Sequence, residues 1–235
     1  MNFIFDLYGT LIDIKTDEEK ESFWRNLSVF LNQNEEDWGR LKTEYFELCA
    51  SQRKPDSQEP DLENVFEEML SYRGSAPMDG RTLARAFRRL SREKFQLFPY
   101  VKEMLQSLKT CGAGVYLLSN AQACFTRDEL DETGLTPLFD EIILSSEVGW
   151  KKPSEKIFKI AFDRFSLRPQ DCVYVGNDLR DDVLGANAVG MKTVYIPTEQ
   201  SGRYENIALP APDYTVENHE KLEEILFSLA NFACA

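Results

Sequence analysis

The sequence has very little histidine. His219 is the only one in 235 residues, and it lies near the start of a closing helix predicted at 218–229. Catalytic dyads and triads built around an imidazole therefore have a single candidate. We expect His219 to be an ordinary surface residue at a helix start, without a catalytic role.

The sequence also lacks paired cysteines and long apolar runs. The five cysteines form no CxxC pair and are Cys49, Cys111, Cys124, Cys172 and Cys234. Scattered cysteines in odd number argue against a disulfide or zinc framework and predict reduced thiols in a cytoplasmic protein. Because residues 1–6 contain no basic leader and no apolar stretch is long enough to cross a bilayer, we expect neither secretion nor membrane insertion.

Positive charge is scarce as well. The chain carries 40 acidic and 27 basic residues, which gives a formal net charge of −13. Nucleic acids and anionic membranes recruit basic surfaces, so this balance argues against both as partners. A small phosphorylated substrate needs only local positive charge and is not excluded. With 43% hydrophobic and 12% aromatic residues, the composition is that of a folded protein.

Short continuous apolar runs recur along the chain, and most are closed by polar residues. They occupy residues 2–5, 114–118, 142–144, 172–175 and 193–196. Continuous runs are typical of parallel strands that are covered on both faces. Helical patterns at 101–108, 154–165 and 181–189 lie between them, so we predict an α/β fold with a doubly wound, Rossmann-like parallel sheet. Such sheets bind their ligands at the carboxyl ends of the strands.

Residues 16–93 differ from the rest because they contain amphipathic helical segments and no strand-like run. The segments cover 19–32, 36–50, 62–72 and 81–95. We predict an all-helical cap domain at 16–93, inserted into a core formed by 1–15 and 94–235, with hinges near 15–16 and 93–98. The alternative is that these helices pack directly on the sheet. Cap residues that could reach a substrate phosphate or carboxylate are Arg25, Arg40, Arg53 and Lys54, although solvated helix faces are the usual place for such side chains.

Four segments carry the polar residues at the predicted strand ends. They read FDLYGTLID at 5–13, LLSN at 117–120, GWKKP at 149–153 and VGND at 175–178, the last followed by Asp182. Their order and separations resemble the four signatures of the haloacid dehalogenase-like (HAD) hydrolase superfamily, in the subgroup with a helical cap. The resemblance spans almost the whole chain, with residues 16–93 in the place of the cap. It implies a hydrolase that works through a covalent intermediate.

Two residues stand at the centre of the chemistry that the resemblance implies. Asp6, at the exposed end of a strand, is positioned to be a carboxylate nucleophile; taken in isolation, it could equally cap the following turn. Lys152, fixed by Pro153, would supply positive charge to the nucleophile and to the transferring group. Lys151 is its competitor, and the family pattern selects the lysine that precedes proline.

Four further residues are candidates for binding a phosphoryl group. Gly9 lets the backbone turn so that amide groups can face an anion. Thr10 and Ser119 offer hydroxyl donors, and Asn120 adds an amide. The alternative for the last three is that they cap turns and helices.

The acidic loop at 177–182 predicts a Mg²⁺ site, because a carboxylate nucleophile and a phosphoryl group need a cation between them. The resemblance implies that the ligands are Asp6, the main-chain carbonyl of Tyr8 and an acid of the fourth segment. Asn177 stands where the family has an acid, so either it binds through an uncharged oxygen or Asp178 replaces it. Asp182 completes the candidate set. The alternative is a charge cluster that only favours a helix N-terminus.

Tyr8 is the second departure from the family pattern. Phosphatase members usually carry an aspartate general acid/base two residues after the nucleophile, whereas the dehalogenase branch has tyrosine there, as this chain does. Tyrosine has a reference pKa of about 10, so at this catalytic position Tyr8 is a poor base and a reluctant acid.

We therefore predict a Mg²⁺-dependent phosphatase that acts on a small phosphorylated metabolite and prefers activated leaving groups. The acidic fourth segment favours this function. The first alternative is a 2-haloacid dehalogenase, which Tyr8 favours. The second is a weakly catalytic regulator that binds a phosphoanion. Both a monomer and a homodimer are compatible with the sequence.

Overall fold

The structure is a computed structural model that describes residues 1–52, 60–72, 78–205 and 207–230. Cys234 and two of the candidate cap residues, Arg53 and Lys54, lie outside the described residues. The other two candidates lie on the cap surface, where Arg25 pairs with neighbouring glutamates and Arg40 is exposed. Within the described ranges, no helix has both the length and the apolar character that crossing a membrane requires.

The strands form a parallel sheet and a separate two-stranded ribbon. They are Asn2–Phe5 (β1), Ile12–Thr16 (β2), Arg92–Leu97 (β3), Gly114–Ser119 (β4), Glu141–Leu144 (β5), Cys172–Gly176 (β6), Lys192–Tyr195 (β7) and Tyr214–Thr215 (β8). The six-stranded sheet has the order β5-β4-β1-β6-β7-β8, and all its pairs are parallel. The predicted parallel α/β sheet is confirmed, with the short edge strand β8 as an addition.

Helices cover the sheet and build the cap. They are Glu21–Phe30 (α1), Trp38–Ser51 (α2), Leu62–Ser71 (α3), Gly80–Ser91 (α4), Val101–Thr110 (α5), Ala123–Thr133 (α6), Ser145–Val148 (α7), Glu155–Phe165 (α8), Gly185–Ala188 (α9) and His219–Leu229 (α10). The helix predicted at 181–189 is instead a π-helical turn at Leu179–Leu184 that continues into α9.

The central strand β1 contributes to both faces of the core, because successive side chains of a strand point in opposite directions. Phe3 and Phe5 are fully buried against α5 and α10 on one face. Ile4 is fully buried on the other face, where it belongs to the apolar cluster that includes α8. This two-sided burial explains why residues 3–5 are continuously apolar, and it holds the carboxyl end of β1 at the middle of the sheet edge.

Helices α1 to α4 form the cap, which has an apolar core of its own. At its centre lie three aromatic rings, those of Trp24, Phe66 and Phe87. The ring of Tyr45 packs against each of the three. The apolar periodicity of these helices is the reason for this second core. Two residues of α6, a core helix, also belong to the cluster, Cys124 and Phe125. The cap is therefore packed onto α6 through continuous apolar contact.

Two predictions for residues 16–93 are wrong at the ends of this range. It does contain strand residues, and the helix predicted at 81–95 does not extend to residue 95. Helix α4 ends at Ser91, and the chain continues directly as β3, which pairs antiparallel with β2. Ile14 lies opposite Phe95 in this ribbon, and Ile12 lies opposite Leu97. Alternating side chains supply this strand pattern, but helical propensity masks it in the sequence REKFQL, because the pairing partner is distant. The ribbon lies where the chain passes between the cap and the core.

Candidate active site

Asp6 lies immediately beyond β1, and its backbone N–H continues the sheet by donating to the carbonyl of Val175 at 2.9 Å. The side chain is 9% exposed. Its Oδ1 accepts from Lys152 Nζ at 2.7 Å and from Ser119 Oγ at 3.0 Å. Its Oδ2 accepts from Thr10 Oγ1 at 3.2 Å. Three predicted site residues therefore converge on the predicted nucleophile, because β1, β4 and the loop before α8 end at the same edge of the sheet.

The turn after Asp6 requires glycine at position 9. Gly9 has φ of +82°, and a Cβ atom there would lie 2.3 Å from Asn177 Nδ2. The turn is also held from outside, since Thr198 Oγ1 donates to the Gly9 carbonyl at 2.9 Å and His219 Nε2 donates to the Thr10 carbonyl at 2.7 Å. A side chain other than hydrogen at position 9 would displace both the turn and Asn177.

His219 is buried, which corrects the expectation of a surface residue. Its ring stacks on Phe98 at 4.5 Å between ring centroids, and burial lowers the pKa of the imidazole. The helix start does lie at the surface of the fold, but this first residue of α10 points at the nucleophile turn. The ring is bonded to the main chain of the turn through the Thr10 carbonyl. We therefore assign His219 a supporting role and no part in the chemistry.

Lys152 is the buried cation of the site, and Lys151 is not. The Lys152 ammonium lies 2.7 Å from Asp6 Oδ1, 2.6 Å from Asp182 Oδ1 and 2.8 Å from the Tyr174 hydroxyl. Burial opposes its charge, but the carboxylates of Asp182 and Asp6 outweigh that effect and hold the pKa of Lys152 well above its usual range. The lysine stays protonated between two carboxylates.

Asn120 links the loops that carry the other site residues. Its Oδ1 accepts from the Lys152 N–H at 2.7 Å, and its Nδ2 donates to the Lys152 carbonyl at 3.1 Å and to Asp181 Oδ2 at 3.1 Å. All these contacts are within the protein, so in this structure the amide fixes the lysine loop against the acidic loop.

Two carboxylates of the fourth segment and its following residues already accept hydrogen bonds within the protein. Asp178 accepts from the N–H groups of residues 180, 181 and 202 and from the Tyr204 hydroxyl. Asp182 accepts from Lys152 through Oδ1 and from the Asp178 N–H through Oδ2 at 2.9 Å. Burial raises the pKa of Asp182. Asn177 Oδ1, by contrast, accepts from Thr10 Oγ1 at 3.2 Å.

These residues line a cavity of about 160 Å³ at the end of the sheet. Its charged lining consists of four aspartates and one lysine, namely Asp6, Asp178, Asp181, Asp182 and Lys152. An anion as highly charged as a phosphoryl group would be repelled by this excess of carboxylates without a cation. Among the described residues, no three His, Cys, Asp or Glu side chains are grouped as a metal site. The cavity also offers a mixed set of oxygens, with Asp6, the Tyr8 carbonyl and Asn177 Oδ1, and such hard oxygens suit Mg²⁺, which commonly keeps several waters.

Gln200 is a cavity residue that sequence reasoning missed. Its Nε2 donates to Asp13 Oδ1 at 2.8 Å and to the Ile14 carbonyl at 2.9 Å, which fixes the orientation of the amide. Among the described residues, its buried Oε1 has no hydrogen-bond partner. A buried acceptor without a donor is costly, and a hydrated cation in this cavity would offer water as a donor. This orphaned oxygen is consistent with a hydrated Mg²⁺ nearby.

The Tyr8 side chain is directed away from the chemistry expected for its position. Its hydroxyl donates to Glu129 and lies 2.9 Å from Thr126 Oγ1, and the Arg88 guanidinium lies 5.0 Å from the ring centroid. Burial and the Glu129 carboxylate raise the pKa of Tyr8, although Arg88 lowers it. Sequence reasoning did not identify Thr126, Glu129 or Arg88, because none of them belongs to the four segments.

The chain that brings these residues together at Asp6 matches the family model of haloacid dehalogenase-like hydrolases over residues 1–190. The protein therefore belongs to this family, and the resemblance inferred from the four segments is confirmed.

Curated relatives include phosphatases. A phosphoserine phosphatase of Thermus thermophilus is 32% identical over 159 residues, which cover 68% of this chain and 61% of the relative. A ribulose-1,5-bisphosphate 5-phosphatase of Halopiger xanaduensis is 33% identical over 144 residues, 60% of each chain. The matches thus span about three fifths of the length of these relatives.

Solved structures with the same fold include both phosphatases and dehalogenases. A HAD phosphatase of Thermococcus onnurineus has a TM-score of 0.64 and 24% identity, with 96% of this chain and 97% of that chain covered. A 2-haloacid dehalogenase of Pseudomonas syringae has a TM-score of 0.65 and 20% identity, with 97% and 99% covered. The likeness defines the fold, and the reaction has to be argued from the site.

Proposed function

We propose that the protein is a Mg²⁺-dependent phosphatase that hydrolyses a small phosphorylated metabolite through an aspartyl-phosphate intermediate. The observation that carries the proposal is Asp6, a buried carboxylate held by Lys152, Ser119 and Thr10 inside a cavity with a strong excess of acidic residues. The curated relatives support the same class, since two of them are phosphatases at 32% and 33% identity.

The first step is attack of Asp6 on phosphorus. A bond forms between a carboxylate oxygen and phosphorus while the bond to the leaving oxygen breaks, and the leaving group departs with the electron pair. Oδ1 is fixed by Lys152 and Ser119, so Oδ2, which has only the 3.2 Å contact with Thr10, is the freer nucleophile. Water then attacks the phosphorus of the acyl phosphate, which releases inorganic phosphate and restores the carboxylate.

Asp6, the Tyr8 carbonyl and Asn177 Oδ1 would hold Mg²⁺, which when bound offsets the repulsion between the carboxylates and the phosphoryl group. Asn177 is the better candidate than Asp178, because the Asp178 carboxylate already accepts hydrogen bonds from the Tyr204 hydroxyl and three backbone N–H groups. Asp182 is bound to Lys152 and is better described as its counter-ion. The Lys152 ammonium orients Asp6 and stabilises charge on the transferring group.

The competing function is a 2-haloacid dehalogenase, and Tyr8 is the observation that favours it. Halide expulsion from carbon needs neither a proton for the leaving group nor a metal. The excess of aspartates around the cavity argues against this function, because it repels the carboxylate of a 2-haloacid.

We expect phosphate release from a panel of phosphate monoesters to require Mg²⁺, to stop with EDTA and to return when Mg²⁺ is restored. Colorimetric detection of phosphate and of halide, with 2-haloacids assayed in parallel, makes this measurement. Halide release that is insensitive to EDTA would establish the dehalogenase instead. Saturable binding of phosphorylated ligands without turnover would favour the regulator, and it would contradict the proposal.

We also expect a strong preference for good leaving groups. The Tyr8 phenol is bound to Glu129 and Thr126, so no acid stands at the position that protonates a leaving alkoxide. A missing general acid typically costs about 10²–10⁴ in rate. The kcat/KM for aryl or acyl phosphates should therefore exceed that for alkyl phosphates by at least about 100-fold. Equal efficiencies on both classes would contradict this account.

Two variants at Tyr8 separate proton donation from anchoring. Tyr8→Asp introduces a carboxyl group too short to reach Glu129, and it should raise kcat on alkyl phosphates relative to aryl phosphates. Tyr8→Phe is the matched control, since it removes only the hydroxyl and should lower kcat by the same factor on both classes. A larger loss on alkyl phosphates in Tyr8→Phe would show that the phenol is a proton donor.

A further inference from the structure

The seam between the cap and the core contains three arginine–carboxylate pairs. Cap helix α4 and the first residue of β3 supply the arginines, and core helix α6 supplies the acids. The pairs are Arg85 with Asp128 at 2.7 Å, Arg88 with Glu129 at 2.8 Å and Arg92 with Glu132 at 3.2 Å. The three arginines are three and four residues apart in the cap segment, and their partners lie at positions 128, 129 and 132 of α6, so the pairs lie side by side along the seam.

The middle pair differs from the other two in burial and in its neighbours. The side chains of Arg88 and Glu129 are 14% and 4% exposed, whereas those of Arg85 and Asp128 are 46% and 47% exposed. Arg88 forms a two-point contact, with Nε on one carboxylate oxygen and a terminal nitrogen on the other at 3.2 Å. Breaking a buried pair leaves an uncompensated charge, while an exposed pair is worth little.

The middle pair is also connected to the nucleophile turn. Glu129 accepts the hydroxyl hydrogen of Tyr8, two residues after Asp6, and the Arg88 guanidinium lies over the face of the Tyr8 ring. The carbonyl of the same residue is a proposed ligand of Mg²⁺. Because Glu129 and Arg88 hold the side chain of Tyr8 in place, they also limit the movement of its main chain.

We infer that Arg88 and Glu129 are positioning residues, which couple the docking of the cap to the placement of the nucleophile turn through the Tyr8 phenol. With the cap docked, Arg88 neutralises Glu129 and covers the ring. With the cap displaced, Glu129 loses its buried counter-ion and the Tyr8 ring loses its cover, so the core keeps only the hydrogen bonds of the Tyr8 hydroxyl to hold the turn. The catalytic consequence rests on the proposed phosphatase function, whereas the coupling itself is a property of the fold.

The test compares Arg88→Met with Arg85→Met, a matched control in the same helix that faces the same partner helix. Arg88→Met should lower kcat about 10-fold or more with KM changed less than about 3-fold, and Arg85→Met should leave both within about 2-fold. Adding Tyr8→Phe to Arg88→Met should cause no further loss, because both changes remove the same connection. Equal effects of the two arginine variants, or additive losses in the double variant, would overturn the inference.

Hydrogen–deuterium exchange provides a readout that does not depend on turnover. Arg88→Met should raise exchange in residues 7–16, and Arg85→Met should leave that segment unchanged. If Arg88→Met fails to fold, Arg88→Lys takes its place, because it keeps the charge without the two-point contact. It should raise exchange in the same residues, 7–16, by a smaller amount. If the wild type hydrolyses no phosphate ester, the proposed function fails, but selective exchange in the Arg88 variant still supports the coupling. Unchanged exchange in both Arg88 variants rejects it.

Discussion

Replacing Asp6 by asparagine should lower kcat/KM for every phosphate ester by at least about 10⁴-fold, equivalent to about 5.4 kcal/mol of barrier. An amide is not a competent nucleophile towards phosphorus, and no acyl phosphate can form on it. The shape of the side chain is kept, and its oxygen can still accept from Lys152 and Ser119. The loss should therefore be in kcat, with substrate binding still measurable by calorimetry.

The same substitution should leave the protein folded, with the melting temperature unchanged or slightly raised. Asp6 and Asp182 share one ammonium, so the buried cluster has one negative charge in excess. Asparagine at position 6 removes that excess. Asp140→Asn is the matched control, because it makes the same isosteric change in an aspartate that accepts from the Val115 N–H of the sheet and lies outside the nucleophile cavity. Retained turnover in Asp6→Asn, with Asp140→Asn unchanged, would rule out the covalent mechanism.

The sheet could be predicted from the sequence because burial on both faces leaves a local signal. A strand such as β1 has to be apolar at every position that is buried, and Phe3, Ile4 and Phe5 show this without knowledge of their partners. The ribbon strand β3 gives no comparable signal. None of its residues is buried, they have helical propensity, and the strand depends on β2, some 80 residues earlier.

Part of the site was predictable for the same kind of reason. Parallel strands end at one edge, so Asp6 and Ser119 had to be neighbours once both were assigned to strand ends. Gln200 and Tyr204 could not be found, because they follow β7 in a loop whose path is set by tertiary packing. The orientation of the Tyr8 ring depends on Glu129 and on the docked cap, which the neighbouring residues in the sequence do not encode.

Lys152→Met should cause the largest loss of stability expected for a single change at the site. Methionine fills a similar volume but leaves the carboxylates of Asp6 and Asp182 facing each other, buried and without a cation. Breaking a buried ion pair by removing one partner costs about 3–5 kcal/mol. For a chain of this length, that loss lowers the melting temperature by roughly 6–20 °C. Differential scanning calorimetry of the wild type and the variant measures it.

The folded fraction of Lys152→Met should also lose about 10³-fold in kcat, because the ammonium orients Asp6 and stabilises charge on the transferring group. Asp6→Asn and Lys152→Met thus separate the two roles of the buried cluster, since the first removes chemistry alone and the second removes chemistry and stability together. Lys151→Met is the matched control, one residue earlier in the same loop, and should change neither property appreciably. If Lys152→Met were destabilised but kept wild-type turnover per folded molecule, the lysine would serve the fold and another group would have to stabilise the transferring phosphoryl group.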